Sequence, residues 1–287
     1  MSRADDRVGA ALARGVSMSD STVVGRHGDI PVRHYHAPGG LPVATLVWAH
    51  GGAFSHGGLD QLESHAVGAA LAHRGIDVVA VDYRRVPPWS WWRRPAPGQL
   101  GGVRFPLPMH DVSAAFESIR RSRPNAFLGG ASAGACLAAS AALSMARQGS
   151  PGPSGLVLAY GTFHASLPRA SAALRARLRG RHSFMQFRPG TVERMNRNYA
   201  GSAEAMTNPY AFPGGHDLSG LPPVFQLDCD RDSLRASGDC FAAELAAAHV
   251  PVDRLVVTDS THGVLNRPAS PLFSRAIDAI STWIHER

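Results

Sequence analysis

The sequence predicts an α/β protein: a mostly parallel sheet with helices on both faces and a helical cap. Three observations lead there. Short apolar runs without polar alternation, such as "VATLVWAH" (43–50) and "IDVVAVDYR" (76–84), read as strands buried on both sides. Segments with apolar residues at helical spacing separate them. One strand gives way directly to a helix through "GGASAG" (129–134), where the bulk is stripped from both sides of a serine.

The elements follow in chain order. Residues 21–37 form two strands around a His-Gly-Asp turn. The strand at 43–50 ends in "GGAF". A helix over 62–75 stops at Gly75, and the next buried strand is 76–84. A helix over 108–122 precedes the apolar run Ala126 to Leu128, and an alanine-rich helix follows Ser132. Strands at 154–161 and 222–230, a helix at 233–249, a strand at 252–260 and a helix at 270–286 complete the alternation. Two segments interrupt it. Residues 85–106 are rich in Pro, Gly, Trp and Arg and read as a long loop. Residues 162–221 carry helical pieces but no strand, the pattern of a lid over the strand ends, where open α/β sheets bind ligands. All 287 residues are taken as a single domain.

Composition narrows the function classes. No run of about 18 apolar residues exists, so no membrane span is expected. The first 20 residues carry charges throughout and lack the apolar core of a signal peptide. Three cysteines, Cys136, Cys229 and Cys240, have neither a disulfide-framework nor a metal spacing, which points to a reduced, cytoplasmic compartment. The net charge is +7, and all 29 basic residues are arginine. They are scattered, apart from "RRSR" (120–123) and "RARLRGR" (175–181), and read as solvated surface; nucleic-acid binding is not expected.

The serine motif Gly130-Ala131-Ser132-Ala133-Gly134 has the form G-x-S-x-G. Small residues two before and two after a sharp strand-to-helix turn relieve backbone crowding, and the serine at the apex points outward. A nucleophilic serine needs a base, an acid to orient that base, and donors for the oxyanion. "HGGAF" (50–54) follows a strand directly, so Gly51 and Gly52, with the N–H of Ala133, are the expected donors. His262, in "VVTDSTHGVLN" (256–266), follows the last strand and is the candidate base. "QLDCDRDSLRASG" (226–238) offers Asp228, Asp230 and Asp232 as the acid, of which Asp232 also fits a helix N-cap. Cys136, one turn beyond Ser132, reads as core.

These motifs resemble the α/β-hydrolase fold, and within it the hormone-sensitive-lipase-like esterases, over about residues 40 to 287. "HGGAFSHGGLD" (50–60) is similar to the family's His-Gly-Gly-Gly block, with Ala53 in place of its third glycine. "VDYRRVP" (81–87) resembles its Asp-Tyr-Arg segment, "GASAG" (130–134) its elbow, and "HGV" (262–264) its His-Gly-Phe. "NPY" (208–210) with "DLSGLPPVF" (217–225) resembles its approach to the acid strand, and "DSLRASG" (232–238) its Asp-Pro-Leu-Arg segment, which favours Asp232 over Asp230. The resemblance implies a serine carboxylesterase of small acyl esters, with no metal or cofactor. An amidase or deacetylase would use the same triad, and a ligand-binding relative without turnover would lack the histidine. The resemblance also implies a cap built from residues 1–40 and about 162–215. Ala53 and Phe54 are expected to line the substrate pocket. Trp91 and Trp92, in "PPWSWWRR" (87–94), are expected to cover the cap, the partner subunit of a homodimer, or the pocket mouth.

Overall fold

The computed structural model describes residues 2–88, 102–179 and 186–287; Trp91 and Trp92 lie outside these described residues. Eight strands form one sheet. They are β1 (Ser17–Gly25), β2 (Gly28–His36), β3 (Ala44–Ala49), β4 (Ile76–Val81), β5 (Ala126–Ala131), β6 (Leu156–Ala159), β7 (Val224–Arg231) and β8 (Val252–Thr261). Their order is β1-β2-β4-β3-β5-β6-β7-β8. β1 and β2 are antiparallel, β2 joins β4 antiparallel, and every later pairing is parallel. Each strand from β3 to β6 is buried at all positions, as the unbroken apolar runs require.

The period of two divides these strands between two cores. Val47 and Ala49 of β3 face one side, with α3 (Leu107–Ser122), α4 (Ala133–Arg147) and α7 (Arg235–Ala247). Leu46 and Trp48 face the other side, with α1 (Arg3–Ala13), α2 (Leu62–Ala72) and α8 (Pro271–His285). The excursion from 162 to 221 holds α5 (Ala172–Arg177) and α6 (Pro189–Ala200) and, among its described residues, no strand.

The first forty residues depart from expectation. Residues 17–36 are a hairpin at the sheet edge, not part of a cap: β1 is exposed along most of its length and β2 carries buried positions among exposed ones, as suits an antiparallel edge pair covered on one face only. Helix α1 was not expected from a charged segment. Its signal is local: the Ser2 hydroxyl accepts the Asp5 N–H at 3.2 Å and donates to the Asp5 carboxylate at 2.7 Å. Asp5 also accepts the Ala269 N–H at 3.1 Å, which ties α1 to the segment after His262.

The turn from β5 into α4 is wedged against the end of β3. A Cβ at Gly130 would stand 2.6 Å from the Ala49 carbonyl oxygen, and one at Gly134 would overlap that same oxygen. These neighbours are backbone and cannot rotate away, which explains the absence of bulk around Ser132. Gly134→Ala should therefore destabilise the fold by about 1–3 kcal/mol or more, read as a lowered urea midpoint. An unchanged midpoint would mean the strand ends can part.

Candidate active site

Ser132 occupies the apex of this turn with φ 55° and ψ −117°, a backbone region that non-glycine residues rarely adopt. Its N–H donates to the Ala159 carbonyl at 2.8 Å, so β6 holds the turn in place. β7 ends just before Asp232 and β8 just before His262. Parallel neighbours bring all three loops to one sheet edge. His262 Nε2 lies 3.1 Å from Ser132 Oγ, and Nδ1 lies 2.6 Å from Asp232 Oδ2. The other Asp232 oxygen accepts the Leu234 N–H at 3.0 Å, which fixes the carboxylate plane; this loop bond takes the place of the expected N-cap.

The three candidate aspartates separate by their partners. Asp228 is buried between Gln226 and Arg254, and burial raises its carboxyl above the usual range despite Arg254. Asp230 meets Arg177 of α5 and accepts the Asp259 N–H at 3.0 Å; the guanidinium outweighs partial burial and lowers it. Asp232 alone of the three reaches an imidazole. Cys136 is fully buried, donates to the Ala211 carbonyl at 3.3 Å, and has its thiol pushed up to about 12 by burial, so it is core.

Burial by itself would lower the His262 pKa. The charge and hydrogen bond of Asp232 outweigh it, Glu63 adds to them, and the net shift is upward from 6.5. Two rings flank the imidazole edge-on, Tyr160 at 5.0 Å and Phe187 at 4.9 Å between centroids. Phe187 belongs to the excursion, whose Gln186 also accepts the Ser233 N–H at 2.8 Å. A cavity of about 580 Å³ opens beside His262, with Ser2 and Asp5 from the α1 end and Arg267 from the other side.

Glu63 and Asn266 were not legible as site residues. Glu63 is buried on α2, and its carboxylate accepts the N–H of Gly51 at 2.7 Å, the Tyr160 hydroxyl at 2.5 Å and Asn266 Nδ2 at 2.9 Å. Asn266 Oδ1 in turn accepts the Glu63 N–H at 3.1 Å. The only hint in the sequence is an acidic residue in the first turn of a helix that otherwise reads as core.

This network corrects the expected oxyanion donors. The Gly51 N–H is committed to Glu63 and cannot face a substrate. Among the described residues, the N–H groups of Gly52, Ala53 and Ala133 donate to no protein acceptor. Gly52 has φ 119° and a Cβ there would overlap the His56 carbonyl, so only glycine suits that position. The loop is braced by Tyr83, whose hydroxyl donates to the His50 carbonyl at 2.9 Å and whose ring stacks on His50 at 4.3 Å. Ala53 is partly exposed at this loop. Phe54, expected in the pocket, is instead fully buried, because its positive φ of 63° turns the ring inward to stack on Tyr199 at 4.0 Å.

A family model described as the alpha/beta hydrolase fold matches residues 46–266. The carboxylesterase NlhH of Mycobacterium tuberculosis is 34% identical over 247 residues, covering 83% of this chain and 72% of the relative. A solved esterase of Pyrobaculum calidifontis is 25% identical, with a TM-score of 0.81, covering 99% of this chain and 91% of that one. A solved esterase from the bacterial hormone-sensitive lipase family shares the fold at 21% identity and a TM-score of 0.79, covering 100% and 98% of the two chains.

The charges around the imidazole make a direct test. The His262 ring proton, followed by NMR, should titrate above 6.5 in the native chain. Asp232→Asn should move the midpoint down, and Glu63→Gln should move it down by less. A midpoint unmoved in Asp232→Asn would contradict the electrostatics described here. The linkage has a definite sign. A folded pKa above the unfolded value adds stability that is fully present below the unfolded pKa and lost as pH rises through the folded one.

Proposed function

The chain belongs to the alpha/beta-hydrolase fold family, whose hormone-sensitive-lipase-like esterases its motifs resemble, and we propose that it is a serine carboxylesterase acting on small acyl esters. The observation that carries this reading is the hydrogen-bonded line from Ser132 Oγ through His262 to Asp232, at 3.1 and 2.6 Å. Ser132 Oγ attacks the acyl carbonyl while His262 Nε2 takes its proton. Asp232 holds Nδ1–H, fixing the tautomer that leaves Nε2 free to accept, and stabilises the imidazolium that forms. The oxyanion meets the free N–H groups of Gly52, Ala53 and Ala133. His262 then delivers its proton to the departing alkoxide, and water releases the acid from the acyl-enzyme by the same steps.

The cap in this reading is the excursion together with the start of α1. Phe187 and Gln186 reach the His262 and Asp232 loops, and Ser2 and Asp5 border the cavity, which supports that assignment. Three free cysteines favour action in the cytoplasm, and no helix among the described residues is long and apolar enough to cross a membrane.

Ser132→Ala should lose fluorophosphonate labelling and cut kcat by about 10⁴- to 10⁶-fold; turnover retained in that variant would remove the mechanism. The pH profile follows from the neutral form of His262 being the base. The rising limb of kcat/KM should have its midpoint above the ordinary histidine value and track the NMR titration. Asp232→Asn should lower kcat by more than about 10²-fold, whereas Asp230→Asn should change it little and mainly weaken the latch to Arg177. A larger loss at Asp230 would reverse the assignment. One acyl group offered as ester and as amide distinguishes the proposed esterase from an amidase, and ligand affinity without turnover would identify a binding protein.

A further inference from the structure

Away from Ser132, the structure gathers three metal-ligating side chains that the reaction does not use. They are His164, on the segment leaving β6, and Cys240 and Glu244, one turn apart on α7. Nε2 of His164 lies 3.1 Å from Glu244 Oε1, and Cys240 Sγ lies 3.2 Å from that same oxygen. All three donor atoms stand within 4.8 Å of one another. Tetrahedral zinc, with bonds of about 2.0 to 2.3 Å, sets its ligand atoms roughly 3.3 to 3.7 Å apart. The two distances to Glu244 Oε1 fall a few tenths of an ångström short of that spacing, so small side-chain adjustments would bring the three donor atoms around such an ion.

Two of the ligands already have outer partners of the kind metal sites use. Ser237, on the same face of α7, places its hydroxyl 2.8 Å from His164 Nδ1, so a proton held at Nδ1 leaves Nε2 free as a ligand. The second Glu244 oxygen accepts the Gly215 N–H at 3.1 Å, leaving Oε1 for the ion. Gly214 covers the imidazole: a Cβ there would stand 2.6 Å from Nε2. Cys240 and Glu244 are only partly buried, which provides a route for an ion and a place for a water as fourth ligand.

We propose that His164, Cys240 and Glu244 form a structural site for a thiophilic divalent cation, zinc by ligand chemistry, which staples the excursion to α7. One nitrogen, one sulfur and one oxygen suit zinc and disfavour magnesium and calcium, which take oxygen ligands. The bound ion ties the segment after β6 and the Gly215 turn to the helix that begins just beyond Asp232. Asn196 of α6 donates to the His164 and Ala165 carbonyls at 3.0 Å each, so α6 is held to the same point.

The test uses the full chain, stripped with chelator and titrated with zinc chloride against a chromophoric competitor, and separately with cobalt(II). One equivalent of zinc should bind, raise the melting temperature, and give way to magnesium or calcium at no comparable concentration. Cobalt should show a thiolate charge-transfer band, which Cys240→Ser removes while weakening zinc by more than about 100-fold and leaving basal turnover intact. Glu244→Gln should weaken zinc as well. Absence of stoichiometric zinc binding at micromolar concentration would overturn the site. So would binding that survives in Cys240→Ser and disappears in His262→Asn, which would place the ion at the triad.

Discussion

The carboxylate of Glu63 ties together the loops that surround Ser132. It joins the turn after β3 through Gly51, the exit of β6 through Tyr160, and the loop after His262 through Asn266. Its own carbonyl accepts the Trp48 indole N–H at 2.8 Å, anchoring α2 to β3 from below. A buried donor left without its acceptor costs about 1–3 kcal/mol, so these loops cannot shift independently while Glu63 keeps its bonds. Because the Gly51 N–H is taken by Glu63, the N–H groups without a protein acceptor among the described residues of this loop are those of the next two residues, Gly52 and Ala53. In the proposed mechanism these are the oxyanion donors, so their availability follows from a buried acid on a neighbouring helix.

Around this knot the charges are arranged in order of depth. Asp232 is buried and faces His262, so its charge acts with little screening on the imidazole. Asp230, two residues earlier, points away and anchors Arg177, drawing α5 over the end of β7. Two aspartates two residues apart at one strand end therefore serve opposite purposes, one toward the nucleophile and one toward the cover. Phe187 and Gln186 continue that cover to the His262 and Asp232 loops. The excursion is attached by polar contacts at its ends and by apolar packing at Tyr199, which fills the core against Phe54 and Phe212.

Most of the sheet was legible because its signals are local. Unbroken apolar runs gave β3 to β6 to within a few residues, mostly apolar runs gave β7 and β8, and the helices between them carried their own period. The hairpin β1–β2 was legible as strands, but its place in the sheet was not, since strand pairing joins residues 32–35 to 78–81 across a long separation. Helix α1 escaped notice because its stability rests on a cap and on contact with α2 and the segment before α8, while its apolar residues are mostly alanine.

By itself the sequence determined the α/β alternation, the stripped turn at Ser132, and the order of serine, aspartate and histidine at strand ends. Each of these is written in periodicity or in the residues flanking one turn. Spacing left three aspartates open and the family resemblance favoured Asp232; the tertiary structure supplies the physical reason, since only Asp232 leaves its strand end on the side that meets His262. Tertiary structure alone decided that Gly51 is occupied while Gly52 and Ala53 are free, because the acceptor that occupies Gly51 comes from α2. It also turned Phe54 into the core and brought His164 to Cys240 and Glu244. These are meetings of side chains from separate elements, and only the packing of those elements sets the distances.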